Sequence, residues 1–281
     1  PCLFGLLDPR TGVAMPVAAP DPRLQARPEG WLLTLTGTAT EVIFPGLPVR
    51  PLPSLLRGFS APVALRHERS DEELVFLARH DSDAFNRWNA VRELYERSLL
   101  VAVEALRTGR QAAVPAGLVG LVADIVARAG EEPALAARML SLPPETALAE
   151  RMRDADPDAI RDARHGLRHA LARALRPALV EAHDAFHDPV WAPDPAAIAR
   201  RAFCNTVLAL LVAGGDPADA ARVHARYHAA DNMTDQLAAL RAAVHAGLPG
   251  ADALLTAFHA QWQHEDLVVD QWFAVQSGSP Q

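Results

Sequence analysis

The sequence predicts a mixed, mainly α protein: a small antiparallel β-sandwich followed by a solenoid-like α-helical array of the HEAT or armadillo kind. Three observations predict it. Up to about Arg69, prolines and glycines punctuate short runs of Leu, Val, Ile, Phe and Thr, which is the rhythm of strands and turns. From Ser70 onward the apolar period becomes helical. Half of the 281 residues are apolar, enough to bury a core in one large domain or two ordinary ones. A sandwich domain is therefore expected over residues 1–69 and a helical domain over 70–281. Pro1 opens on sequence that reads as mid-strand and Gln281 directly follows an apolar helix, so both domains are expected to be cut, the first at its start and the second at its end.

In order along the chain, Leu3–Leu7 and Gly12–Met15 flank Asp8-Pro-Arg-Thr-Gly, whose Pro and Gly supply turn geometry, so a hairpin is predicted. The proline-rich stretch Val17–Gly30 reads as a loop. Trp31–Thr36 and Thr40–Phe44 alternate well enough for half-buried strands, and Leu52–Arg57 and Pro62–Arg66 complete the set.

Ser70-Asp-Glu-Glu then forms a capping box. Phe85, Trp88, Val91, Tyr95, Leu99 and Leu106 make one stripe of a long helix over Asp83–Thr108. Later helices are predicted to start at Pro144-Glu145, Asp156-Pro157, Asp194-Pro195 and Asp216-Pro217, because proline is tolerated in a first turn. Gly130, Gly214 and Gly247 mark helix ends. Roughly ten helices joined by short loops suggest antiparallel neighbours stacked as an array. No strict repeat period is visible. Pro177 is expected to kink or split the helix running from Asp158 to His187.

The formal net charge of −7 is spread along the chain, which argues against nucleic acid or an anionic membrane as a partner. No run of about eighteen apolar residues escapes interruption by charge or proline, so no membrane span is expected. Cys2 and Cys204 lie far apart and outside metal-ligand spacing, so no disulfide framework is implied. All 27 basic side chains are Arg, which excludes lysine Schiff-base or lysine-base chemistry.

Among motifs that could carry chemistry, His183-Asp184-Ala185-Phe186-His187 is the strongest, since histidines at i and i+4 with an intervening acid resemble the zinc-peptidase pattern. Three objections outweigh it. Asp is shorter than the required Glu, no Glu occurs between His187 and His264 to serve as a third ligand, and the region belongs to the helical part. A solvent-facing pair on an amphipathic helix is the expected reading. His165 with His169, and His224 with His228, share the spacing without the acid. Ser54 and Ser60 lack a triad context, and Gly117-Leu-Val-Gly120 is neither a P-loop nor a dinucleotide loop. Asn232 or Thr234 is expected to cap the helix through Leu237, Leu240 and Val244. Trp262, Trp272 and Phe273, with Leu267 and Val268, are expected to pack between helices, with some apolar surface left exposed. No catalytic, cofactor-binding or metal-binding residue is assigned.

Three runs carry a family resemblance: Arg50-Pro-Leu-Pro-Ser-Leu-Leu-Arg-Gly-Phe-Ser-Ala-Pro-Val-Ala-Leu65, His228-Ala-Ala-Asp-Asn-Met-Thr-Asp-Gln-Leu-Ala-Ala-Leu240 and Asp266-Leu-Val-Val-Asp-Gln-Trp-Phe-Ala-Val-Gln276. Together they resemble the C-terminal portion of bacterial aminopeptidase N, a zinc metalloaminopeptidase family. The resemblance implies a parent enzyme that removes single N-terminal residues from peptides with a zinc ion held elsewhere, by a His-Glu-x-x-His segment absent from this chain. It implies no cofactor on this chain, and as partners the catalytic and N-terminal domains of the same polypeptide and the parent's peptide substrates. It further implies a cytoplasmic location and an architectural role in covering the active-site chamber. The alternative is a free-standing helical-repeat interaction scaffold. A third reading, a peptidase built on His183, Asp184 and His187, needs chelator-sensitive hydrolysis to stand.

Overall fold

The computed structural model describes residues 1–17, 21–187 and 190–280. It divides into two compact units, Pro1–Arg97 and Ser98–Gln281.

The first unit is built on a four-stranded antiparallel sheet. Its strands are β1 (Cys2–Leu7), β2 (Leu24–Arg27), β3 (Gly30–Leu33) and β4 (Leu52–Leu55), in the order β2-β3-β1-β4. β2 lies inside the stretch expected to be a loop. It pairs with β3 through a two-residue connection, Pro28-Glu29, and Gly30 closes the turn at φ 143°. A Cβ there would stand 2.2 Å from the Phe4 carbonyl oxygen, so only glycine fits. Pro53 is accommodated because β4 is an edge strand. The expected Gly12–Met15 strand reduces to one bridge, Leu7 to Ala14.

Two other expected strands do not form ladders. Thr40–Phe44 runs into Pro45-Gly46, with Gly46 at φ 74°, and the Glu41 carbonyl is taken by Arg23 Nη2 at 2.7 Å. Val42 and Phe44 nevertheless pack on the sheet core of Phe4, Leu6 and Leu24, with Phe44 edge-on to Phe4. This segment supplies the second apolar layer without strand pairing. In Pro62–Arg66, proline has no amide to give and Val63 turns its own back to the Ala61 carbonyl.

Helix α1 (Asp71–His80) begins with the predicted capping box: Ser70 Oγ accepts from the Glu73 amide at 3.2 Å, and Glu73 Oε2 accepts from the Ser70 amide at 2.9 Å. Helix α2 (Ala84–Arg107) buries Val91, Tyr95 and Leu99 of the predicted stripe.

The second unit contains α3 (Ala116–Ala127), α4 (Pro133–Leu140), α5 (Glu145–Ala149), α6 (Pro157–Ala185), α7 (Pro195–Val212), α8 (Pro217–Ala229), α9 (Met233–His245), α10 (Ala251–Trp262) and α11 (Asp266–Ser277). The Asp-Pro signals hold, with Asp156, Asp194 and Asp216 each accepting first-turn amides. Each such cap contributes roughly 0.5–2 kcal/mol. α6 runs as one helix through Pro177 instead of splitting there. α7 is the hub, packing against α4, α6, α8 and α9. By length and composition alone it could cross a membrane. Its apolar side chains Phe203, Val207, Leu208 and Leu211 are instead the buried core. A second cluster of Val223, Tyr227, Leu240, Leu254, Phe258 and Val275 joins α8 to α11.

Candidate functional site

The motifs that could carry chemistry converge where α6 ends and α8 turns into α9. α8 stops at Ala229, Ala230 turns extended, and Asn232 caps α9 by accepting the Asp235 amide at 3.0 Å. Of the two capping residues expected, Asn232 takes the role and Thr234 lies in the first turn. That geometry drives Asp235 inward, where it is 4% exposed. Its carboxylate accepts from Arg226 Nη2 at 2.7 Å, Asn205 Nδ2 at 2.8 Å and Asn232 Nδ2 at 3.0 Å. Arg226, itself buried, also places Nη1 2.8 Å from His187 Nδ1. A shallow cleft beside this junction is lined by Arg226, Asn232 and Asp235 with Phe186, Trp191, Arg201 and Asp231. The Asn232 amide, and after it the Trp191 backbone N–H, hold the Asp231 carboxyl below the usual range.

His183 does not face solvent as the sequence suggested. It is buried in the last turn of α6, with Nδ1 3.2 Å from Asp184 Oδ1 and 3.3 Å from Arg222 Nη1. Burial pushes the imidazole below its ordinary value, against the opposing pull of Asp184. For Asp184, burial raises the carboxyl, but the His183 hydrogen bond and the Arg222 charge together hold it lower than usual. His187 lies beyond the helix end at Ala185, so the two rings do not share a helical face.

These residues do not fit a zinc ion. His183 Nδ1 is committed to Asp184 and Arg222, its Nε2 is buried, and a guanidinium stands against the His187 ring. Among the described residues no group of three His, Cys, Asp or Glu side chains could hold a metal. The other spaced histidines are tied down separately: His169 Nδ1 lies 3.0 Å from the Ala213 carbonyl, and His224 Nε2 lies 2.9 Å from that of Pro249. Ser54 accepts from Asn86 and Ser60 from the Leu3 amide, so both hydroxyls serve the fold. Gly117 and Gly120 sit within α3, not in a phosphate loop. Trp262 and Trp272 pack on the α8–α11 core and donate to Gln236 and to the Leu255 carbonyl, while Leu267 and Phe273 stay exposed as expected of part of that surface.

Sequence reasoning missed Arg226, Arg222 and Asn205, whose partners lie nine to thirty-nine positions away. Arg226 could have been found: it falls three residues after Val223 and beside Tyr227, on the face of α8 that the apolar pattern buries. An arginine there needs an anion, and Asp235 is the first acid that α9 offers inward.

The arrangement neutralises charge and locks a helix junction, in a chain whose fold class is a small antiparallel sheet followed by an armadillo-type helical array. The chain belongs to the DUF3458 families. Residues 71–281 match DUF3458_C, a domain of unknown function described as ARM repeats, and residues 1–68 match DUF3458, described as an Ig-like fold. It is 34% identical over 253 residues to aminopeptidase N of Escherichia coli K12, covering 90% of this chain and 29% of that protein. Identity is also 34% to aminopeptidase N of Haemophilus influenzae, covering 84% and 27%, and to that of Caulobacter vibrioides, covering 83% and 27%. The chain thus spans under a third of the length of these relatives. In fold it is similar over its whole length to the crystal structure of Legionella pneumophila aminopeptidase A in complex with aspartic acid, at a TM-score of 0.82 and 21% identity, covering 32% of that chain. The resemblance drawn from three sequence runs therefore extends across most of the chain.

Proposed function

We propose that this chain is the non-catalytic C-terminal part of a zinc aminopeptidase that removes single N-terminal residues from peptides, with this part shaping and covering the active-site chamber. The observation that carries the reading is the 34% identity to aminopeptidase N over 90% of the chain. The internal use of its polar side chains supports it: Asp235 is saturated by Arg226 and two amides, and His183 is buried against Asp184 and Arg222. On this reading zinc belongs to the catalytic part of the polypeptide, the partners are that part and the N-terminal domain, the whole acts in the cytoplasm, and the sandwich gives way to the helical domain near residue 70.

The test is hydrolysis of an aminoacyl-anilide by the isolated chain. No turnover is expected with or without added zinc. Chelator-sensitive turnover lost in His183→Ala would overturn the proposal and revive the peptidase built on this chain. The armadillo-type match favours one other reading, a free-standing interaction scaffold using its array as a binding surface.

A further inference from the structure

The segment Leu56–Ser60 spends backbone strain to hold an aromatic ring in solvent. Leu56 (φ 55°) and Phe59 (φ 52°) both adopt the left-handed conformation, with Gly58 (φ 60°) between them. For L-residues that conformation costs roughly 1–2 kcal/mol each. Strain of this kind persists only where surroundings over-determine it, and it concentrates where a surface has a task.

The surroundings do over-determine it. The buried Arg57 side chain donates to the Glu29 carbonyl at 2.5 Å, to Asp81 Oδ1 at 3.0 Å and to Ser82 Oγ. Gly58 N–H reaches Asp83 Oδ2 at 2.8 Å, and Ser60 Oγ accepts the Leu3 amide at 2.9 Å. A side chain at position 5 would collide with the Arg57 guanidinium, so Gly5 keeps its place.

The result is an aromatic ring that is 54% exposed. Phe59 leans on Phe85 at 5.3 Å between centroids, Phe85 on Trp88 at 5.7 Å, and Arg92 lies over Trp88 at 5.6 Å. Val63 and Leu65 follow within six residues, 56% and 42% exposed. A row of aromatic rings beside an arginine, flanked by aliphatic side chains, has the composition of an interface hot spot. Among the described residues, the ring contact of Phe59 is with Phe85.

We propose that Phe59, with Val63 and Leu65, is the docking surface for the polypeptide that precedes Pro1 in an aminopeptidase N-type enzyme. This rests on the proposed function. Two observations favour that occupant over others. The Leu3-to-Ser60 hydrogen bond fixes the start of β1 beside Phe59, so a segment entering at Pro1 arrives at this surface. The chain also makes up only 29% of the length of its Escherichia coli relative, so that reading supplies a large body to be seated.

The test compares side-chain labelling by hydroxyl radicals in the isolated chain and in the full polypeptide encoded by the same reading frame. Phe59, Val63 and Leu65 are expected to label in the isolated chain and to lose most of that labelling in the full polypeptide. Equal labelling in both overturns the docking proposal while leaving the aminopeptidase reading intact. A reading frame with no upstream catalytic part overturns both. Phe59→Gly separates docking from folding, because glycine accepts φ 52° without strain. In the full polypeptide it is expected to restore labelling at Val63 and Leu65. If it leaves them protected, Phe59 is not the anchor.

Discussion

At the residue scale, the decisive group is Asp235, a buried carboxylate balanced by Arg226, Asn205 and Asn232. Removing one partner of a buried pair leaves the other charge uncompensated, a loss of about 3–5 kcal/mol. Asp235→Ala is therefore expected to lower unfolding free energy by about that amount in urea titration, and a loss below about 1 kcal/mol would show the pair to be solvated. His183 gives a pH dependence. Its folded-state affinity for a proton is depressed by burial, so the unfolded chain binds protons more readily. The stability it contributes is full above its ordinary value of 6.5 and is lost as pH falls through that region. His183→Gln should flatten the fall in stability as pH drops below 6.5. An unchanged slope would place the titration elsewhere, with His67 and His245, also lowered by burial, as the next histidines to replace. Neither role was legible locally. The spacing of His183 and His187 was visible, but Arg222 and Arg226 approach them from another helix, and only tertiary packing decides that the first ring is buried and the second is held past the helix end.

At the element scale, what the sequence revealed best were events governed by neighbouring residues. A cap is such an event, and Ser70, Asp156, Asp194 and Asp216 all cap as their spacing predicts. Asp194 accepts from both Ala196 and Ala197, and these bonds, chiefly the one from Ala197, hold its carboxyl low. Asp194→Ala should destabilise the protein by roughly 0.5–2 kcal/mol. The loss should be read as accelerated amide exchange at the start of α7, and uniform exchange along the helix would contradict it. Strands were read less well because pairing is non-local. β2 was hidden in a proline-rich stretch and exists through its register with β3, whereas Thr40–Phe44 has the alternation of a strand but spends a carbonyl on Arg23. Of the two outcomes expected at Pro177, a kink or a split, the split does not occur: the helix continues through it, with Leu171, Leu175 and Leu179 buried around that position.

At the scale of the whole molecule, the helical unit is organised by α7 and closed by polar pairs, and its chemistry-bearing side chains face one another. The central claim is that such a chain serves a zinc aminopeptidase by architecture and not by catalysis. The most direct test is to read the coding sequence upstream of the Pro1 codon. The account predicts an open frame continuing through a His-Glu-x-x-His segment and its downstream Glu. A start codon immediately before Pro1 would contradict it, and the helical array would then stand as a binding scaffold in its own right.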